Sequence, residues 1–191
     1  MLVQAKRFTI AEYHHLEEMA FFNGDRTELI RGEIVSMAAK GTKHTVCCRN
    51  LLGELSNLIR GRAILQCQDP IFLPPNSEPE PDFAIVRDRD DNYLTGHPTP
   101  DDILLVIEIS DSSLNYDRDV KGALYAEAGI ENYWLFNLID NRLEAYSEPY
   151  CDTQGNGNYA QRKYVLSHQA IALPSFDNLA IELYKIFPSH P

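Results

Sequence analysis

The stretch Ile103-Leu104-Leu105-Val106-Ile107-Glu108-Ile109 is apolar at every position except Glu108. A continuous apolar run of this kind predicts a strand that is covered on both faces of its sheet. Burying a carboxylate in such a strand is costly unless the carboxylate is paired or coordinates a metal. Glu108 is therefore the first candidate for a functional residue.

A second acid, Asp82, opens the apolar run 83–86, about 25 residues before Glu108. If the two strands are neighbours, the two carboxylates converge, and the pair predicts a site for a hard metal ion. Four prolines between residues 73 and 81 exclude regular structure there and fix where the Asp82 strand starts. An acid after a proline can also lie in a turn without a function, and that alternative stays open for Asp82.

The other patterns predict the order α, ββ, α, β, β, β, α, β, β, followed by one late strand, which is typical of an α/β or α+β domain with a central mixed β-sheet flanked by helices. Helical spacing of apolar residues predicts helices over 10–22, 44–60 and 117–128. Strands are predicted over 28–30, 33–37, 63–73, 83–86, 103–110, 133–136, 142–147 and 162–173, with a polar loop over 148–161. No domain boundary is visible, so we expect residues 1–191 to form a single domain.

The first predicted helix has a specific start signal. Thr9 is expected to cap it, with Glu12 in the third helical position. Leu16, Met19 and Ala20 are expected to form its apolar face.

Composition narrows the class of protein. With 191 residues, 44% of them hydrophobic, the chain can bury a sizeable core. No apolar stretch reaches the ~18 residues of a membrane span, and residues 1–7 lack the apolar region of a signal peptide. The four cysteines have no disulfide-framework or zinc-knuckle spacing, so we expect a reduced, cytoplasmic protein with no membrane partner.

The net charge of -11 argues against a nucleic-acid partner, but the charge is unevenly distributed. Residues 1–65 carry a balance of +2, and residues 66–191 a balance of -13. The basic side chains of residues 1–65 could form a local basic face, or they could be ordinary solvated charges, and the sequence favours neither alternative. The side chains concerned are Arg26, Arg31, Lys40, Lys43 and Arg49.

The order of the motifs resembles the PD-(D/E)XK nuclease superfamily, whose members have a restriction-endonuclease-like core. The closer resemblance is to the Uma-type restriction endonucleases, which are common in cyanobacteria. Each motif alone is common, but their order and spacing together are fairly specific and cover most of residues 8–185. The matching segments are 28–34, 80–86 and 106–110, then Lys121, Tyr125 and 128–135.

The resemblance implies a Mg²⁺-dependent endonuclease, in which Mn²⁺ can replace Mg²⁺, that hydrolyses DNA phosphodiester bonds. The implied catalytic residues are Glu28, Asp82, Glu108 and Lys121. The implied metal ligands are Asp82, Glu108 and the backbone carbonyl of Ile109, with Glu28 binding through water or holding a second ion. The usual superfamily lysine, two residues after the second acid, is Ser110 here, and the Uma-type family supplies its lysine from the next helix, which implies Lys121.

Several residues have a structural alternative. Lys121 can form a helix-surface ion pair with Asp117, four residues before it. Glu28 can pair with a neighbouring arginine, Arg26 or Arg31. His44 can contact a phosphate or the metal site, although we favour a surface position in the first turn of its helix.

Tyr125 is expected to pack beneath Lys121. Two other functions stay open: a catalytically inactive module of the same fold that binds nucleic acid or protein, and hydrolysis of a smaller phosphodiester. Cutting both strands of DNA with one site per chain favours a homodimer.

Overall fold

A mixed sheet of six strands forms the centre of the molecule, and two short hairpins stand apart from it. The hairpins are β1 (Thr27–Ile30) with β2 (Glu33–Ser36), and β9 (Ala170–Ala172) with β10 (Ala180–Glu182). The central strands, in spatial order, are β3 (Ile64–Cys67), β4 (Phe83–Val86), β5 (Ile103–Ser110), β6 (Asn132–Asn137), β7 (Arg142–Cys151) and β8 (Gly157–Leu166). Neighbours are antiparallel except β5 and β6, which are parallel.

This computed structural model describes residues 4–188, so the ends of the predicted domain lie outside the described residues. The helices are α1 (Ile10–Glu18), α2 (Thr42–Leu58), a π-helical segment (Tyr116–Lys121) and α3 (Gly122–Glu127), with short 3₁₀ turns at Pro100–Asp102 and Leu183–Lys185. The predicted mixed α+β architecture is confirmed. Within the described residues, no helix is long and apolar enough to cross a membrane.

Strand β5 is buried on both faces, as its apolar run predicts. Leu105 and Ile107 belong to the core beneath α2, whereas Val106 belongs to the core beneath α3. The two cores account for the continuous apolar pattern, because neither face of the strand meets water. Glu108 is therefore held in a double-sided core at the centre of the sheet.

The capping prediction for α1 is confirmed, but its apolar face is wrong. The Thr9 hydroxyl accepts a hydrogen bond from the Glu12 backbone, and the Glu12 carboxylate accepts one from the Thr9 backbone. The helix then ends at Glu18, and Ala20 adopts a φ of +54°. Met19 is consequently 63% exposed, while the residues that α1 buries are Ile10 and Tyr13.

The predicted polar loop over 148–161 is also wrong. Strand β7 continues to Cys151 and β8 begins at Gly157, so only a short turn separates them. Asp152 closes that turn by accepting hydrogen bonds from the backbone of Gln154 and Asn156. The polar composition arises because most side chains of this hairpin's outer part face solvent. The predicted strand over 162–173 is in fact the end of β8 followed by β9.

Candidate functional site

A cavity of about 410 Å³ lies where β4 begins and β5 ends. One wall is the segment 35–41, which leads from β2 into α2, and the other is the loop 111–113 after β5. The cavity is lined by all four residues that the sequence nominates for catalysis, together with Ile109. The four are Glu28, Asp82, Glu108 and Lys121.

The register of two neighbouring strands brings the first two acids together. Phe83 of β4 pairs with Ile107 of β5 in an antiparallel arrangement, so Asp82 lies beside the end of β5. The Asp82 backbone nitrogen donates a hydrogen bond to Glu108 Oε2 at 3.3 Å. In return, the Ile109 backbone nitrogen donates one to Asp82 Oδ2 at 3.0 Å. The Glu108 carboxylate is thus tied to the backbone of Asp82, and the Asp82 carboxylate to the backbone of the residue after Glu108.

Each of these carboxylates has one firmly held oxygen and one weakly held oxygen. Glu108 Oε1 accepts hydrogen bonds from Tyr125 Oη at 2.7 Å and Lys121 Nζ at 3.1 Å, whereas Oε2 has only the 3.3 Å contact with Asp82. Asp82 Oδ1 has only long contacts, with Gln68 Nε2 at 3.4 Å and Lys40 Nζ at 3.6 Å. Glu108 Oε2 and Asp82 Oδ1 therefore retain acceptor capacity for a cation.

The donor set fits a hard cation that retains water. Within residues 4–188, no group of three or more His, Cys, Asp and Glu side chains is arranged to hold a metal. Mg²⁺ does not require such a cage, because it is commonly held by one or two carboxylates and completes its octahedron with water and substrate oxygens. The N–H and C=O of a strand residue point to the same side, so the Ile109 carbonyl lies on the side of β5 that faces Asp82.

Lys121 forms ion pairs with two of the acids. Its Nζ lies 2.9 Å from Glu28 Oε2 and 3.1 Å from Glu108 Oε1, and its side chain is buried. The alternative pair with Asp117 does not form. The Asp117 carboxylate instead accepts hydrogen bonds from the hydroxyl of Ser110 at 2.5 Å and that of Ser113 at 2.6 Å.

Glu28 also forms neither of the ion pairs with Arg26 or Arg31 that were its structural alternatives. Arg26 pairs with Glu80 at 2.6 Å, and Arg31 pairs with Glu127 at 2.7 Å, so neither arginine neutralises Glu28. Arg26 and Arg31 are two of the five residues that could form an N-terminal basic face, and these ion pairs neutralise both of them.

The helical element that carries Lys121 approaches the sheet closely. Its first part is the π-helical segment, in which both Asp117 and Lys121 are buried against β5. Gly122 follows, and a Cβ there would lie 3.3 Å from the Tyr133 ring of β6, tighter than ordinary packing. The absence of a side chain at this position lets the segment approach the strands. The sequence predicts a helix here but contains no signal for the π-helical turn.

The site gathers more acidic groups than its single buried lysine can pair. Burial raises the pKa of Glu108 to about 8, and the neighbouring acids Asp117, Asp82 and Glu28 add to this, although Lys121 opposes it. Burial opposes ionisation of Asp82 too, but its hydrogen bonds with His44 and the Ile109 backbone keep its pKa below the usual value. Burial alone would lower the pKa of Lys121, yet Glu108 and Glu28 raise it well above normal. A bound cation would relieve the repulsion among the acids.

The positions of two basic residues at the cavity, His44 and Lys40, differ from what the sequence predicts. His44 Nε2 lies 2.9 Å from Asp82 Oδ2 and the side chain is largely buried, so the favoured surface position for His44 is wrong. The reason is that α2 starts at Thr42 with Gly41 as its N-cap, which turns its first residues toward β4. Glycine is a common N-cap, so the sequence contains a signal for the start of α2 but none for the contact of His44 with Asp82.

Lys40 is the second such residue, since the sequence suggests it only as part of a diffuse basic face. Its Nζ lies 3.6 Å from Asp82 Oδ1, and its side chain is 26% exposed, whereas that of Lys121 is 5% exposed. Lys40 is therefore the cavity lysine that remains accessible from solvent. Tyr125 and Lys121 share one acceptor, because both donate a hydrogen bond to Glu108 Oε1.

The fold and the site define a mixed α+β protein with carboxylates gathered at the end of two central strands. The chain belongs to the Uma2 family, which is described as "Putative restriction endonuclease" and whose model matches residues 10–183. A solved structure with a similar fold is that of "a putative nuclease belonging to DUF820" from Anabaena variabilis. The two structures align with a TM-score of 0.69 and 14% sequence identity, over 94% of this chain and 97% of the other. No curated protein matches the chain.

Proposed function

We propose that this protein is a Mg²⁺-dependent endonuclease that hydrolyses DNA phosphodiester bonds in the cavity at the ends of β4 and β5. Its membership of the family described as "Putative restriction endonuclease" supports nuclease chemistry. The observation that carries the proposal is the pairing of Asp82 with Glu108, in which each carboxylate keeps one weakly held oxygen.

Asp82 and Glu108 would hold the metal, together with the Ile109 carbonyl, and Glu28 would reach it through water or hold a second ion. When bound, Mg²⁺ supplies charge stabilisation for the phosphoryl oxygens and lowers the pKa of a coordinated water. The surrounding residues fix the geometry of the ligands. His44 and the Ile109 backbone orient Asp82, while Tyr125 and Lys121 orient Glu108.

The two lysines would then have different roles. Lys121 is buried between Glu28 and Glu108, so it holds these acids in position and limits their mutual repulsion. Lys40 is partly exposed on the wall of the cavity and would neutralise the scissile phosphate as negative charge develops. This assignment differs from the implied family pattern, in which Lys121 acts on the water or the phosphate.

Nicking of supercoiled plasmid tests the proposal. The wild-type protein is expected to convert supercoiled DNA to open-circle DNA with Mg²⁺ or Mn²⁺ and to lose this activity in EDTA. Asp82→Asn and Glu108→Gln should abolish nicking, whereas Glu182→Gln, an exposed acid on β10, should not. Activity that persists in both site variants would refute the assignment, because it would have to come from elsewhere.

A catalytically inactive module that binds nucleic acid or protein is the second candidate. The acidity of the cavity favours a protein partner for such a module, because acids repel the phosphates of a nucleic acid. Six acids line the walls: Glu28, Glu80, Asp82, Glu108, Asp111 and Asp117. Thermal melting with and without millimolar Mg²⁺ separates the two candidates. A metal-binding site raises the melting temperature of the wild-type protein but not of Asp82→Asn, whereas a module without a metal site is indifferent to the cation.

Two finer features of the proposal have their own tests. A cavity of about 410 Å³ is also large enough for a small ligand, so turnover of a dinucleotide without cleavage of plasmid would narrow the substrate to smaller phosphodiesters. A homodimer, proposed because two strands must be cut, predicts twice the monomer mass in light scattering.

A further inference from the structure

A cluster of arginines lies on the sheet away from the cavity, around one buried acid of β7. The Glu144 side chain is 0% exposed, and three arginines donate to it. Arg118 does so bidentately, with contacts of 2.7 Å and 3.1 Å, Arg142 makes a longer contact of 3.4 Å, and Arg162 is the third donor. Among residues 4–188, Asp140 is the other acid paired with an arginine of the cluster, at 3.0 Å from Arg142. The cluster therefore keeps an excess of positive charge on a chain whose net charge is -11.

The outer two arginines are held at the surface by an aromatic ring. The Tyr164 ring on β8 is 48% exposed, and the guanidinium carbons of Arg142 and Arg162 lie 4.3 Å and 4.7 Å from its centre. Both arginine side chains are about one third exposed. Contact with Tyr164 and Glu144 orders these long side chains in advance, so less entropy is lost when their free N–H groups bind an acceptor.

The register of the sheet connects this cluster to the candidate active site. Glu108 is paired with Leu135, Leu135 with Glu144, and Glu144 with Tyr164. Residues that are directly paired share a face of the sheet, so these four side chains form one row across four strands. Three strand spacings place Tyr164 about 14 Å from Glu108 along that row.

We propose that Arg142, Arg162 and Tyr164 form a binding site for the phosphate backbone of a nucleic acid, on the same face of the sheet as the cavity. This inference rests on the proposed nuclease function and names where the substrate extends. The π-helical segment covers the row between the two places, because Lys121 reaches Glu108 and Arg118 reaches Glu144. At about 3.4 Å per nucleotide along a duplex strand, a backbone that passes over this segment would meet the arginines about four or more nucleotides from the scissile bond. Guanidinium groups suit this role because their fixed fork of donors matches phosphate oxygens.

Salt-dependent binding tests the site without requiring cleavage. The fluorescence anisotropy of a labelled duplex of about 20 base pairs is followed in EDTA at several KCl concentrations. Removing one phosphate contact should reduce the slope of log K against log salt by about 1. We expect this reduction for Arg162→Gln and Arg142→Gln, and we expect Arg162→Lys to retain the slope while binding more weakly.

The matched control is Lys163→Gln on the same strand. Lys163 pairs with Ala145 and alternates with Arg162 and Tyr164, so it belongs to the opposite face of the sheet. Its loss should leave the slope unchanged. Arg162→Gln still leaves Glu144 with the bidentate Arg118, and a melting temperature close to that of the wild type would verify its fold.

The outcomes distinguish this site from the proposed function. If the wild-type protein binds duplex with an arginine-dependent slope but never nicks plasmid, the nuclease proposal fails and the binding site stands. If the protein nicks plasmid while Arg162→Gln, Arg142→Gln and Lys163→Gln all keep the wild-type slope, the inference is overturned. Undetectable binding of duplex by the wild-type protein overturns it as well.

Discussion

The buried acid of the arginine cluster should make the stability of the protein depend on pH. Burial alone would raise the pKa of Glu144, but hydrogen bonds from Arg118, Asn137 and Tyr146, with the charge of Arg162, lower it to about 2. Against the usual value of 4.5, this difference corresponds to about 3 kcal/mol of stabilisation. Because the folded-state pKa is the lower one, the stabilisation is complete above about pH 4.5 and is lost as the pH falls toward 2.

Glu144→Gln keeps the size of the side chain and removes its charge. We expect the free energy of unfolding near pH 7 to fall by about 3 kcal/mol, because the arginines lose their common acceptor. The difference from the wild type should shrink as the pH approaches 2, where the wild-type carboxyl is itself becoming protonated. Urea unfolding followed by circular dichroism, repeated across the acidic range, measures both quantities.

Glu148→Gln is the matched control for Glu144→Gln. It changes an acid of the same strand whose side chain is exposed, so its effect should stay within about 0.5 kcal/mol at every pH. A Glu144→Gln effect of the same size at pH 7 and pH 3 would contradict the reasoning, since it would have to come from packing and not from charge.

Two further substitutions test the cavity and the hairpin. Lys40→Met should lower kcat/KM for plasmid nicking by about 100-fold, the usual cost of losing one group that stabilises transition-state charge. Lys43→Met, on the exposed side of α2, should leave kcat/KM unchanged. Equal rates for the two variants would exclude Lys40 from catalysis. Gly157→Ala should destabilise the fold by about 2 kcal/mol or more, because the added Cβ would lie 2.4 Å from backbone atoms of α3. Gly96→Ala should be tolerated, because a Cβ at Gly96 has no atom within 4 Å. Denaturant unfolding of the two glycine variants gives the comparison, and similar midpoints would show that the β8 start can move away from α3.

Residues whose placement in the fold follows from local sequence were predictable. Glu108 interrupts an apolar run, and Asp82 follows a proline-rich approach to a strand, so both acids and the strands that carry them could be found without a structure. The Thr9 cap was also predictable, because its two hydrogen bonds join residues three positions apart. In each case the signal lies within a few residues of the feature.

Residues whose role depends on distant packing were not predictable in the same way. His44 reaches Asp82 only because α2 starts at Thr42 and crosses the beginning of β4, which is a contact between residues 38 positions apart. Lys40 depends on the path of the preceding loop in the same way. The sequence predicts a loop for the β7–β8 hairpin because polar side chains dominate strands that face water, and the periodicity of a buried strand is absent there.

The acidic net charge deserves a different interpretation once the positions of the charges are known. At sequence level, -11 argues against a nucleic-acid partner because a uniform negative surface repels phosphate. The charges are not uniform, however, since several acids are concentrated in the cavity and an excess of arginine lies around Glu144 on the same face of the sheet. An acidic cavity repels phosphate only until it holds a divalent cation, whose charge changes the sign of the local interaction. A nuclease with this distribution should therefore bind DNA more tightly with Mg²⁺ than without it, whereas a protein with a single basic surface should bind less tightly, because Mg²⁺ competes for the phosphates.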